Sequence, residues 1–203
     1  MSESGSTSRT SRLRSARRLA RLIFFGLFLL GGIAALLAEL PPSQPRGLSE
    51  ARADFFVKLS PSQAWSKLQD LSLAHHYVPG VEAVEILTAQ RQGVGASRRI
   101  FQASGETLDE TVVEWEEGRG FVIRLHAGEQ GPPFPFEKAK FRYWIESGDD
   151  AGARISLTIL YLPMGGRLGE WLDKALLNAE MERRMSTLAV SMRSYYELPE
   201  PVR

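Results

Sequence analysis

The fold is decided by residues 136–163, which read FEKAKFRYWIESGDDAGARISLTILYLP. Apolar residues alternate with polar ones on both sides of the glycine-containing turn at 148–152, and this period of two predicts β-strands at 136–147 and 153–162. A connection this short joins only antiparallel strands. One face of the hairpin should be buried, and it carries these side chains: Phe141, Tyr143, Ile145, Ile155, Leu157, Ile159 and Tyr161.

Toward the N-terminus the same pattern recurs. Further strands are predicted at 81–90, 96–103, 106–116 and 121–126, and the short breaks between consecutive strands predict an antiparallel meander of six. A seventh strand is predicted at 51–59. After it, Ser60 and Gln63 can form a capping box for a helix that runs to about residue 70, and a short second helical turn continues through Tyr77.

Toward the C-terminus the period changes to that of a long helix at 168–197. Its apolar residues recur at steps of three and four: Leu168, Trp171, Leu172, Ala175, Leu176, Ala179, Met185, Leu188, Met192 and Tyr195. We expect this stripe to be buried against the sheet. The predicted fold class is therefore α+β, with a seven-stranded antiparallel sheet curved around a long C-terminal helix and two short helices after the first strand. The folded domain should span 51–198, followed by a tail at 199–203.

The N-terminal part of the chain predicts a membrane anchor at Leu22–Leu40. Residues 22–38 read LIFFGLFLLGGIAALLA and carry no charge, and as a helix they would be about 26 Å long, enough for a thin hydrocarbon core. All six arginines of residues 1–40 precede this run. The positive-inside rule therefore places the tail 1–21 in the cytoplasm and the folded domain on the exported side of a single-pass protein. The proline-rich residues 41–50 are predicted to be a stiff linker.

Two other interpretations of this segment stay open. One is a cleaved export signal, for which Arg17 and Arg18 resemble a twin-arginine motif. It is disfavoured because cleavage after Ala38 would put Leu36 where a small residue is required. The other is an organelle transit peptide, because the start of the chain is rich in arginine and serine and nearly free of acidic residues.

Charge and composition exclude several classes of protein. The whole chain has a formal net charge of +1, of which residues 1–40 contribute +4, so the remainder is mildly acidic. An acidic domain is a poor nucleic-acid binder, because phosphate binding needs clustered Lys and Arg. The chain has no cysteine, which excludes a disulfide scaffold and a cysteine nucleophile. No cofactor is expected.

Few residues suggest catalysis or metal binding. His75 and His76 are adjacent, so on a helix they point about 100° apart and cannot easily hold one ion, and we predict no metal site. Glu110 could be a desolvated acid if its face of the fourth strand, shared with Val112, pointed inward. The opposite face with Val113 and Trp115 is equally plausible as the inward one. Solvent exposure of Glu110, or its pairing with Arg98, Arg99 or Arg124, is the default expectation.

The domain resembles the START-like (SRPBCC) superfamily, and specifically its polyketide cyclase/dehydrase-type branch. The resembling stretches run in order along 51–197: SPSQAW at 60–65 with LQD at 68–70, YVPGV at 77–81, GVGA at 93–96, and Glu110 with Val112. The resemblance implies a helix-grip fold with a deep cavity between the sheet and the long helix. Members of this superfamily bind sterols, lipids, quinones or polyketides, and some are cyclases or hydrolases.

From the resemblance and the anchor, the sequence favours a membrane-tethered binding or carrier module for a hydrophobic small molecule or lipid. The alternative is a cyclase/dehydrase-type enzyme that acts on a polyketide-like substrate through Glu110 and Tyr143. A structural domain whose cavity is filled by side chains is a third possibility. No catalytic set is predicted. The predicted ligand-contacting residues are these: Tyr77, Phe141, Tyr143, Ile159, Tyr161, Trp171, Leu172 and Leu176.

Overall fold

The structure is a computed structural model that describes residues 47–127 and 131–198. The predicted cytoplasmic tail, the membrane anchor, most of the linker and the tail 199–203 lie outside the described residues. Within the described ranges, no helix is both long and apolar enough to cross a membrane. Residues Arg46–Arg203 form a compact unit of their own.

The secondary structure follows the predicted order. The strands are β1 (Ser49–Val57), β2 (Val81–Ile86), β3 (Ser97–Gln102), β4 (Thr107–Glu116), β5 (Gly120–His126), β6 (Phe136–Ser147) and β7 (Ala153–Pro163). The helices are α1 (Pro61–Leu68), α2 (Ala74–Tyr77), α3 (Gly166–Leu172) and α4 (Asn178–Glu197), with a π-helical segment (Asp173–Leu177) between α3 and α4. Short 3₁₀ turns occupy Leu71–Leu73 and Asp149–Ala151.

The strands form one antiparallel sheet in the order β1-β7-β6-β5-β4-β3-β2. The predicted meander from β2 to β7 is confirmed, and β1 joins it by pairing with β7. In the central hairpin, Phe141 lies opposite Ile159 and Tyr143 lies opposite Leu157. These four side chains are buried on the predicted face. The seven-stranded sheet and its long C-terminal helix are therefore as the alternation and the helical period predicted.

The start of α1 is fixed by the predicted capping box. The Ser60 amide donates to Oε1 of Gln63 at 3.0 Å, and the Gln63 amide donates to the hydroxyl of Ser60 at 3.4 Å. Pro61 occupies the first turn, where its missing amide hydrogen is not needed. The helix buries Ala64, Trp65 and Leu68 in the core.

The core lies between the concave side of the sheet and α4, which packs against β1, β7 and α2. The buried side chains of α4 are Met181, Met185, Leu188, Ala189, Met192 and Tyr196. Met185, Leu188 and Met192 of the predicted apolar stripe are therefore confirmed as buried, whereas Ala179 is exposed and Tyr195 is only half-buried beside the buried Tyr196.

The first half of the predicted stripe was wrong. Trp171, Leu172 and Leu176 are 64%, 42% and 69% exposed, so they do not pack against the sheet. The residues that turn inward here recur every four positions: Gly169, Asp173, Leu177, Met181 and Met185. An α-helix has 3.6 residues per turn, so a row of residues spaced by four would gradually rotate away from the sheet. The π-helical segment has more residues per turn, and it therefore keeps this row facing the sheet.

A β-bulge in β4 explains why both faces of that strand looked equally able to point inward. The pairing of β4 with β5 shifts between Val112 and Glu114. Before the shift, Glu110 and Val112 are buried; after it, the half-buried Trp115 packs on the core. An extra residue reverses the alternation of faces, so each of the two predicted faces is correct for one part of the strand.

Candidate functional site

A buried arginine stands on the concave face of the sheet. Arg98 of β3 lies directly opposite Glu110 of β4. Its Nε donates to Oε2 of Glu110 at 2.6 Å, and Nη1 donates to the carbonyl oxygen of Leu71 at 2.6 Å. The side chains of Arg98 and Glu110 are only 2% and 10% exposed. Of the two default expectations for Glu110, pairing with an arginine is confirmed, and solvent exposure is wrong because Glu110 lies on the inward face of β4 before the bulge.

Three tyrosines from three different elements share this interior with Arg98. Tyr77 ends α2, Tyr143 lies on β6 and Tyr196 lies near the end of α4, and all three are buried. In addition to the effect of burial, the charge of Arg98 lowers the pKa values of Tyr77 and Tyr143, and the charge of Glu110 raises them. Tyr77 and Tyr143 in turn raise the pKa of Tyr196. We call Arg98, Glu110, Tyr77, Tyr143 and Tyr196 the tyrosine–arginine cluster.

The hydroxyls of Tyr77 and Tyr196 are the unusual feature of the cluster. Among the residues that the structure describes, neither buried hydroxyl has a hydrogen bond of good geometry, although the guanidinium of Arg98 interacts with the hydroxyl of Tyr77 and, against the effect of burial, lowers its pKa. A buried polar group left in this state costs roughly 1–3 kcal/mol, and nearly all buried polar groups in native proteins are satisfied. Both hydroxyls can therefore donate a hydrogen bond to an acceptor other than the described residues.

The tyrosines of the cluster are neutral hydrogen-bond donors. Burial raises the pKa of Tyr77, an effect that the nearby Arg98 charge opposes. Burial also raises the pKa of Tyr143 and of Tyr196 well above that of an exposed phenol. Each hydroxyl therefore keeps its proton at physiological pH and can donate it to an acceptor.

Arg98 keeps its positive charge in this environment. Burial is the largest single effect and lowers the pKa of its guanidinium, but the charge of Glu110, the hydroxyls of Tyr77 and Tyr143 and the hydrogen bond to Glu110 together outweigh it, so the net pKa is raised. A buried cation beside neutral hydroxyl donors is suited to bind an oxygen atom that carries partial or full negative charge. A carboxylate, a ketone or an enolate oxygen on an otherwise apolar molecule has this chemistry.

Aromatic side chains surround the cluster. The ring of Tyr143 lies 4.6 Å from that of Phe141 and 5.0 Å from that of Phe121. Beyond them, the indole Nε1 atoms of Trp65 and Trp115 donate to the two carboxylate oxygens of Glu117 at 3.0 and 2.9 Å. These hydrogen bonds from Trp115 and Trp65 lower the pKa of Glu117. The N–H groups of both indoles thus have a hydrogen-bond acceptor, and the apolar faces of the two rings can pack against other side chains.

A second polar group fixes the π-helical segment. The hydroxyl of Tyr161 donates to Oδ1 of Asp173 at 2.7 Å, and the hydroxyl of Ser49 donates to Oδ2 at 2.5 Å. Burial and the hydrogen bond with Asp173 raise the pKa of Tyr161 to about 12. The polar tip of Tyr161 is therefore occupied by the protein itself.

The predicted ligand-contacting residues separate into three groups. Tyr77, Phe141 and Tyr143 come together at the tyrosine–arginine cluster. Ile159 and Tyr161 are buried on β7. Trp171, Leu172 and Leu176 lie on the outside of the domain, away from the core. The prediction that these eight residues contact a ligand, and that a deep cavity lies between sheet and helix, stays a prediction.

Other parts of the described domain have fewer features of a ligand-binding or metal site. A surface groove of about 530 Å³ is lined by both acidic and basic side chains, among them Lys58, Asp149 and Arg193, and contains none of the predicted ligand-contacting residues. His75 and His76 are exposed, and the ring of His76 stacks on Tyr195 at 5.5 Å. No group of three or more acidic or histidine side chains within 47–127 and 131–198 could hold a metal ion.

Arg98 and Tyr196 were not predicted as site residues from the sequence. A signal existed for Arg98, because it alternates with Ala96 and Ile100, which are both buried. An arginine on the apolar face of a strand is a candidate for a functional group. Tyr196 lies four residues after Met192, on the same row of the helix, but the adjacent Tyr195 fitted the predicted stripe equally well.

Comparison with known proteins places the chain in a family. The family described as "Polyketide cyclase / dehydrase and lipid transport" matches residues 50–197, which is most of the chain. No curated protein matches the chain significantly.

Solved structures share the fold at low sequence identity. The Zhui aromatase/cyclase from Streptomyces sp. R1128 is 17% identical with a TM-score of 0.58, over 74% of this chain and 94% of that one. Ginseng major latex-like protein 151 from Panax ginseng is 10% identical with a TM-score of 0.56, over 75% of this chain and all of that one (100%). TTHA0849 from Thermus thermophilus is 21% identical with a TM-score of 0.53, over 73% and 97% of the two chains. The order of strands, the long C-terminal helix and the family match together show that the chain belongs to the polyketide cyclase / dehydrase and lipid transport family.

Proposed function

We propose that the domain binds a hydrophobic small molecule that carries an oxygen-bearing polar group, and that residues 22–40 anchor it to a membrane. One observation carries the ligand part of the proposal. The buried hydroxyls of Tyr77 and Tyr196, which have no hydrogen bond of good geometry among the described residues, share an interior with the cationic Arg98. The polar end of the ligand would accept hydrogen bonds there, and its apolar body would contact aromatic side chains such as Phe141.

Membership of the family supports a ligand-binding or cyclase-type function. A binding module is the simpler of the two, because Glu110, the predicted acid/base residue, is held by Arg98 in an ion pair. One feature of the cluster would also suit an enzyme. A buried cation and neutral phenols can stabilise the negative oxygen of an enolate. A cyclase-type enzyme is therefore the second candidate, with Tyr143 as a hydrogen-bond donor.

The test of this proposal uses tyrosine-to-phenylalanine variants of residues 46–203, which form a compact unit. The probe is parinaric acid, a fluorescent fatty acid with one carboxylate. We expect Tyr77→Phe and Tyr196→Phe each to weaken probe binding by roughly 3- to 10-fold, because each removes one hydrogen bond to the carboxylate. The same variants should leave the probe-free domain as stable as the parent or more stable, since they remove an unsatisfied buried hydroxyl.

The variants should weaken probe binding without lowering stability, so a loss of binding cannot be explained by partial unfolding. Tyr195→Phe is the matched control, because it removes a hydroxyl from the adjacent, half-buried tyrosine, and it should change neither binding nor stability. If the parent does not bind the probe, or if both variants bind it as the parent does, recognition by the cluster is refuted. Mass spectrometry of molecules that co-purify with the parent separates the two candidate functions, because a binding module returns its ligand unchanged and a cyclase returns it cyclised or dehydrated.

A further inference from the structure

The segment that contradicts the predicted stripe forms an exposed apolar surface. Of the twelve large apolar residues that are exposed in the described chain, five lie within thirteen residues of one another. They are Met164, Leu168, Trp171, Leu172 and Leu176. We call these five residues the outer apolar face. Isolated exposed apolar residues are normal in proteins, but a contiguous group marks an interaction site.

The outward direction of this face is fixed by contacts on the other side of the helix. Gly169 packs so closely on the backbone of Met164 that a Cβ atom would clash with it. Asp173, four residues later, is buried and receives hydrogen bonds from Tyr161 and Ser49. The small and polar residues of this segment therefore face the sheet, and its apolar residues face outward.

An exposed phenylalanine extends the face at the same end of the domain. The amide of Met164 donates to the carbonyl oxygen of Pro135 at 2.9 Å, which brings the 131–135 loop beside the start of α3. Phe134 in this loop is 87% exposed. The apolar surface is thus built from two separate parts of the chain.

The position of the outer apolar face relative to the start of the domain indicates what covers it. Ser49, the first residue of β1, is hydrogen-bonded to Asp173 in the π-helical segment. Eight residues, 41–48, separate Ser49 from the predicted anchor at 22–40. A fully extended chain of this length spans at most about 30 Å. An anchor in the membrane would therefore hold the face within reach of the same bilayer.

The composition of the segment fits a lipid surface. Tryptophan and leucine side chains bordered by cations are typical of helices that lie in the membrane interface. Trp171 and three aliphatic side chains lie on the exposed side, and Arg167 and Lys174 border it. Glu170 is half-buried and Asp173 is buried in its own hydrogen bonds. Because Arg167 is also half-buried, Lys174 is the one exposed charge of this segment, and it can contact an anionic headgroup.

We propose that the outer apolar face docks onto the interfacial layer of a bilayer that contains anionic lipid, on the side where the domain is anchored. The proposal rests on the proposed anchor for its biological setting. The docking itself is a property of the folded domain, so it can be measured without the anchor and independently of ligand binding at the tyrosine–arginine cluster.

The test is co-sedimentation of residues 46–203 with vesicles of phosphatidylcholine, with and without one-third phosphatidylglycerol. We expect binding to the mixed vesicles and a blue shift of tryptophan emission as Trp171 leaves water. The double variant Trp171→Ser/Leu172→Ser should bind these vesicles at least about tenfold more weakly, because the apolar contact with the membrane interface is lost. The matched control Val94→Ser/Val190→Ser removes two apolar side chains that are also exposed, at other places on the domain, and should bind like the parent.

Trp171→Phe adds a local readout. It should keep vesicle binding but lose the blue shift, because the chain has only three other tryptophans and Trp65, Trp115 and Trp144 lie away from this face. Absence of vesicle binding by the parent would refute the proposal, as would equal loss in the control variant. Concentration-dependent dimerisation abolished by Trp171→Ser/Leu172→Ser, without vesicle binding, would instead assign the face to a second copy of the chain.

Discussion

At the scale of single residues, the ion pair of Arg98 and Glu110 is the strongest constraint on the interior. Two charges that are taken out of water must compensate each other, and removal of one partner leaves an uncompensated buried charge. Here Arg98 also donates to the backbone of Leu71, so the pair ties β3 and β4 to the 3₁₀ turn before α2. The same contact positions Tyr77, which ends α2 and belongs to the cluster.

We expect Arg98→Met to lower the free energy of unfolding by about 3–5 kcal/mol, because Glu110 would stay buried without its cation. The double variant Arg98→Met/Glu110→Leu should recover most of this loss, since apolar residues of similar volume can replace a buried pair. Urea unfolding of residues 46–203 measures both values. The double variant should also bind parinaric acid more weakly despite its recovered stability, which separates recognition from folding.

A surface ion pair provides the control for these variants. Arg193 and Glu197 form an (i, i+4) pair on α4 whose side chains are 56% and 42% exposed. Arg193→Met should cost less than about 1 kcal/mol, because solvent screens exposed pairs. Equal losses for Arg98→Met and Arg193→Met would contradict the burial that the structure assigns to Arg98.

At the scale of elements, periodicity predicted the strands and helices better than it predicted their faces. The alternation in β6 and β7 predicted the inward side chains correctly because both strands are regular there. The bulge in β4 and the π-helical segment after α3 each change the period locally. The π-helical segment is held by contacts with distant residues, such as the hydrogen bond between Ser49 and Asp173, and the bulge is visible only in the pairing of β4 with β5, so a local pattern did not reveal either.

Variants in the C-terminal helices test whether the buried faces are those observed or those of the predicted stripe. Met192→Ala should lower the free energy of unfolding by about 2–5 kcal/mol, because Met192 is 0% exposed and its removal would leave a cavity. Trp171→Ala should change it by no more than about 0.5 kcal/mol, since Trp171 is 64% exposed. A continuous apolar stripe would instead predict a large loss for both variants. Thermal or urea unfolding of the two variants therefore distinguishes the observed faces from the predicted stripe.

At the scale of the whole molecule, the sequence predicted the fold but only part of the candidate site. Short turns and apolar alternation are local signals, and they were enough for the order of strands and the long helix. The tyrosine–arginine cluster draws on α2, β3, β4, β6 and α4, which are distant in the chain. Tyr77 and Tyr143 could be identified from the family resemblance and their strand or helix positions. Tyr196 and the buried state of Arg98 depend on how these elements pack together.

If both proposals hold, the full chain contacts the membrane through the anchor at 22–40 and through the outer apolar face. We expect the full-length protein to stay in the membrane fraction after extraction at alkaline pH, because an uncharged run of seventeen residues can span a thin bilayer. An exported-side reporter fused after Arg203 should be active, since all the arginines near the anchor precede it.

Deletion of residues 22–40 should make the protein extractable but still able to bind vesicles, whereas the same deletion with Trp171→Ser/Leu172→Ser should abolish vesicle binding too. Activity of the reporter only in the cytoplasm would reverse the topology, and a mature N-terminus near Glu39 would identify the segment as a cleaved signal. In either of those cases the docking of the domain on vesicles would still be measurable, because it depends on the folded residues alone.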